Sequence, residues 1–83
     1  MNIKAMNKEV KAFVDEVGID AVRKASLAEV LQAYYMGMPL EDCSPYCGAD
    51  EVANDLGLSV AEINYWEDLK YKKTSWLNSE EVA

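Results

Sequence analysis

Eighty-three residues make one small domain, able to bury about 60–65% of its unfolded surface, so its core is modest. Hydrophobic residues are 51% of the chain and aromatics 10%, which argues against a disordered chain, and no apolar run approaches the ~20 residues of a membrane span. The formal net charge is −7, histidine is absent, and the N-terminus lacks a signal-peptide pattern, so the expectation is a cytoplasmic protein with two reduced cysteines.

Ile3, Met6, Val10, Phe13, Val14 and Val17 fall on one apolar stripe and predict a first helix of about four turns. Gly18 supplies the left-handed residue that ends it, and Ile19 is placed to pack back. Asp20 to Ala25 predict a short helical turn. Ser26 and Glu29 form a capping box that opens the next helix, whose inner face is Leu27, Val30, Leu31 and Tyr34, with Met38 at its end. Gly37 stops that helix and Pro39 keeps it stopped. Residues 38–49 hold both prolines and both cysteines and read as a compact loop with one helical turn near Leu40–Cys43.

A pair of helices follows, over about residues 50–56 and 60–71. Gly57 makes the turn between them, and Ser59 with Glu62 is a second capping box. Val60, Ile63, Trp66 and Leu69 recur every three residues and are expected on one inner face, opposite Ala53 and Leu56. Trp76 and Leu77 are expected anchors, and 79–83 a frayed tail of a domain spanning 1–78. With no alternating strand pattern, the prediction is an all-α bundle of four to five helices containing a helix-turn-helix.

Charge is unevenly placed. Residues 1–40 are neutral and residues 70–83 sum to +1. Between them Glu41, Asp42, Asp50, Glu51, Asp55, Glu62, Glu67 and Asp68 stand without a single Lys, Arg or His. A block of one sign faces either a partner or solvent.

Val52-Ala53, Leu56-Gly57-Leu58-Ser59, Ile63 and Tyr65-Trp66-Glu67 resemble the helix-turn-helix of MerR-type regulators and of phage excisionase or small-terminase modules. The resemblance covers about a quarter of the chain and implies a small Ala between the helices, a tight glycine turn and a recognition helix begun at Ser59, with Ile63 and Trp66 on its core side. It also implies DNA binding through Asn64 and Tyr65, with Lys70, Lys72 and Lys73 gripping one strand and a dimer doubling those cations. The departures bear on phosphate contact. Asn64 stands where an Arg is usual, Glu62 where Thr or a basic residue is common, and no β-wing pattern follows the motif. A carboxylate ~10 Å from a phosphate is repelled by about 0.4 kcal/mol at the dielectric of water, and several such terms add.

The favoured reading is therefore a non-enzymatic protein-binding module that offers its eight acids to a basic partner, with Tyr35 and Tyr65 as interface aromatics. Its size and acidity fit a phage-type inhibitor or regulator, counter-defence proteins included. The alternative is a helix-turn-helix transcriptional regulator that binds DNA as a dimer. Cys43 and Cys47, even with Asp42 and Asp50 beside them, fall short of the paired Cys/His clusters of zinc sites, and buried structural thiols are expected in place of a metal. Without histidine, a glycine-rich phosphate loop or a nucleophile–base pair, neither catalysis nor a cofactor is expected.

Overall fold

A computed structural model describes residues 3–71, with side chains from Met6 onward. Five α-helices and one 3-10 turn follow in order: α1 (Ile3–Val17), α2 (Ile19–Lys24), α3 (Leu27–Met36), the 3-10 turn (Leu40–Asp42), α4 (Ala49–Leu56) and α5 (Val60–Tyr71). The described residues are all-α, as the periodicity predicts. The tail anchors Trp76 and Leu77, the frayed end 79–83, Lys72 and Lys73 lie outside the described residues.

Local chemistry sets the boundaries. Gly18 takes φ 97, a region that L side chains avoid, and its N–H bonds to Val14 O at 2.7 Å, which closes α1 and turns the chain into α2. Ser26 and Glu29 make the reciprocal capping box at the start of α3, with bonds of 3.1 and 2.9 Å. Between α4 and α5 only Gly57, Leu58 and Ser59 intervene. Gly57, at φ 69, donates to Asn54 O, and Leu58 donates to Ala53 O at 3.0 Å. That pair of bonds is the Schellman arrangement, which satisfies the last carbonyls of α4.

The core is continuous from α1 to α5. Val10, Val22, Val30, Leu31, Trp66 and Leu69 are fully buried, and Met6, Val14, Leu27, Val52 and Ala53 complete it. α3 is the central element, with α4, the 3-10 turn and α5 all packed on it, while α2 bridges α1 and α5. Gln32 of α3 is buried and holds the loop that follows: its Nε2 donates to Ala28 O and Ser44 O, and its Oε1 accepts from Ser44 N, each at 3.1 Å. A buried amide satisfied on both its ends anchors the loop at Ser44.

Two expectations about packing need correction. Val60 is 74% exposed, whereas Tyr65 and Lys70 are buried. Steps of three residues lag the helical turn by about 60° each, so residues 60, 63, 66 and 69 sweep half-way round the helix instead of sharing a face. The inner stripe of α5 is Tyr65, Trp66, Leu69 and Lys70, with Glu62 and Ile63 at its margin. Cys43 is buried, but Cys47 is only half-buried, so the description of both as buried thiols holds for one of them.

Candidate protein-docking face

Three tethers decide which way α5 faces. Trp66 sits in an aromatic cluster, with ring centroids 6.2 Å from Phe13 of α1 and 5.0 and 6.3 Å from Tyr34 and Tyr35 of α3. Its Nε1 donates to the Tyr35 hydroxyl at 3.2 Å, and that hydroxyl donates to Glu62 Oε2 at 3.2 Å. Tyr65 donates to Asn7 Oδ1 at 2.8 Å, both groups being buried.

The third tether is Lys70. Its ammonium lies 2.8 Å from Val22 O and 3.1 Å from Arg23 O, and it donates to Ala25 O as well. These carbonyls end α2, where the helix dipole concentrates negative charge, so a buried cation is well placed there. Burial pushes the Lys70 pKa down, and the Glu29 carboxylate acts in the opposite direction. Arg23 Nε approaches Leu69 O at 3.4 Å in return, so α2 and α5 exchange donors across their C-terminal ends.

With those residues turned inward, the outer face of α5 carries Val60, Ala61, Asn64, Glu67 and Tyr71. Asn64, Glu67, Asp68 and Tyr71 line a shallow concavity of about 400 Å³. Val60 and Tyr71 are 74% and 69% exposed and frame the acids with apolar surface. Lys70, the one lysine of α5 within the described residues, is buried, with its ammonium 5.7 Å from the Tyr71 ring centroid at the edge of this face, and α4 and α5 carry no other cation among the described residues.

The eight acids do not form a single patch with a single role. Asp50, Glu51 and Asp55 lie on the exposed arc of α4, opposite buried Val52 and Ala53. Asp50 and Glu51 also occupy the first turn of that helix, where negative charge favours the free amides. Glu41 and Asp42 are exposed in the 3-10 turn. Glu62 is half-buried: it accepts from Ser59 N at 3.2 Å and from Tyr35, and is occupied with capping α5. Glu67 is exposed on α5, and Asp68 is half-buried beside it.

The two expected interface aromatics fall inside. Tyr65 belongs to the core, and Tyr35 is half-buried between Trp66 and Glu62. Burial raises the pKa of both phenols. Val60, expected on the inner face, and Tyr71, given no role by the sequence, are the large exposed hydrophobics of α5; counting in steps of three and four from Trp66 and Leu69 places both outside. Of the residues expected to meet DNA, Asn64 is outward and Lys70 is not.

The described residues contain no cluster of three or more Cys, Asp or Glu side chains arranged to hold a metal ion, and no helix among them is long and apolar enough to cross a membrane. No family model, curated protein or solved structure matches this chain.

Proposed function

We propose that this protein is a non-enzymatic docking module whose working surface is the outer face of α5 with the exposed arc of α4. The observation that supports the reading is the inward turn of Lys70, which among the described residues of α4 and α5 leaves Asn64, Glu67, Val60 and Tyr71 outward with no exposed lysine or arginine. Such a face suits a basic protein surface: opposed fields speed the encounter, and the exposed Tyr71 and Val60 supply apolar contact. A partner that itself binds nucleic acid has the required charge. A phage-type inhibitor or regulator, including one that counters a defence system, is a role that fits this size and acidity.

The DNA-reading alternative draws on the three-residue turn and on outward Asn64, a side chain able to pair with adenine. Against it, residues 50–69 supply no cation for the DNA backbone, to which half or more of protein–DNA hydrogen bonds go.

The test is a set of charge reversals to Lys at Asp50, Glu51, Asp55 and Glu67, leaving the capping residue Glu62 intact. Under the proposal the reversed protein keeps its helical circular-dichroism signal and loses the partner that the parent retains in a nuclease-treated pull-down. Gel shifts at two salt concentrations run beside it. Tight, salt-sensitive and sequence-selective DNA binding by the parent protein would overturn the proposal in favour of the regulator.

A further inference from the structure

A second concave surface lies away from α4 and α5. Ala12, Phe13 and Val17 of α1 face Tyr34 of α3 and Met38 and Leu40 beyond it across a groove of about 690 Å³. Its end opens into a second concavity of about 610 Å³, which shares Glu16, Val17, Pro39 and Leu40 with the first. No residue of α4 or α5 lines either part.

The floor is apolar and incompletely covered. Phe13, Val17, Tyr34 and Leu40 pack on the core with one side and remain half-exposed on the other. The rim is acidic: Glu9 and Glu16 stand along the first part, and Glu16, Glu29 and Glu41 along the second, with Lys24 as the one cation of the lining. Glu9 is already oriented, because its Oε2 accepts from the Tyr34 hydroxyl at 3.1 Å. Its other oxygen is a ready acceptor for a cation, beside two aromatic rings 5.4 Å apart at their centroids.

We propose that this groove docks a basic amphipathic helical segment of a partner protein. The charge complementarity argues for that occupant: an apolar floor takes the apolar stripe, and the glutamates take flanking Lys or Arg. Glu9 and Glu16 are seven residues apart on α1, about 10 Å along its axis, which matches cations two turns apart on the incoming helix. Such a segment uses the helix-in-groove mode of recognition, with apolar anchors at i, i+3 or i+4 and i+7. This surface is separate from the one assigned above, so either assignment stands or falls without the other.

The probe is a synthetic amphipathic helical peptide with lysines seven residues apart and leucines on the intervening face, titrated into isotope-labelled protein and followed by NMR. Two control peptides replace the leucines by serine or the lysines by glutamate. The expected result is saturable binding, with shifts concentrated on residues 9–17 and 33–41 and lost with either control. Ala12→Trp fills the groove from an exposed position and should weaken binding at least tenfold, as should the pair Glu16→Lys and Glu41→Lys, with helical signal and melting temperature retained. Reversal of the α4 and α5 acids should leave the peptide bound.

Four outcomes overturn the proposal. They are no saturable binding up to ~1 mM, the weak end of specific recognition; equal binding of the serine control, which means charge alone; shifts centred on α4 and α5; and concentration-dependent shifts in the groove without peptide, which assign it to a second copy of this chain.

Discussion

The hydroxyl of Tyr65 donates to Asn7 Oδ1 at 2.8 Å across 58 residues of sequence, and the bond ties the last described helix to the first. Both side chains are buried, so water is poorly placed to replace either partner. Tyr65→Phe keeps the ring and removes the donor. It should lower unfolding stability by about 1 kcal/mol, and by up to ~3 kcal/mol if the Asn7 carbonyl is left dry. Urea denaturation measures this directly. An unchanged midpoint would mean that Tyr65 faces solvent.

Lys70→Met retains the length of the side chain and removes the ammonium from Val22 O, Arg23 O and Ala25 O. Leaving buried acceptors at the end of α2 without that donor should cost about 1–3 kcal/mol. The same substitution should leave the salt dependence of any residual nucleic-acid binding unaltered, because this cation does not reach a phosphate. A flatter salt slope with unchanged stability would place Lys70 on the surface.

Burial raises the pKa of the phenols of Tyr34, Tyr35 and Tyr65 above their ordinary 10.0, and Glu9 adds to the effect at Tyr34. In the unfolded chain these groups ionise near 10, whereas the folded state holds their protons to higher pH. Their contribution is therefore complete below about pH 10 and declines as pH rises towards the folded values. Urea midpoints at about pH 9 and about pH 11, on either side of the ordinary tyrosine value, should show a fall. A flat profile would contradict the buried positions of these rings.

Burial, and secondarily the Glu29 and Asp42 carboxylates, push the Cys43 thiol above its usual pKa. Cys47 is half-buried. Titration with a thiol reagent at neutral pH should resolve a faster phase from Cys47 and a slower one from Cys43, since thiolate and access both govern the rate. Cys47→Ser should remove the faster phase. Equal rates at the two positions would refute the burial of Cys43.

The helices were legible because their ends are written in short-range chemistry. Gly18, Gly37 and Gly57, and the pairs Ser26 with Glu29 and Ser59 with Glu62, act within a turn of where they stand, and each marks a boundary in the structure. The orientation of α5 was not legible to the same degree. Tyr65 and Lys70 turn inward because of Asn7 and the carbonyls of α2, partners 45 or more residues away, and residue type alone does not announce them. A lysine near a run of acids reads as surface until its acceptors are known. The candidate site was legible in part: the acids were visible as a block and Glu62 as a capping residue, but the outward position of Glu67 and the half-burial of Asp68 depend on the fold.

The tethers of α5 all leave from one side of that helix. Tyr65, Trp66, Leu69 and Lys70 secure it, while Val60, Ala61, Asn64 and Glu67 are exposed on the other side. Changes at outward positions typically cost no more than about 0.5 kcal/mol, whereas changes among the inward four carry the larger penalties of core and buried polar groups. The helix thus has a half held by the fold and a half open to substitution. The outward half accepts changes from anionic to cationic or from polar to apolar over a handful of surface residues, while the same four inward residues keep the backbone where it is.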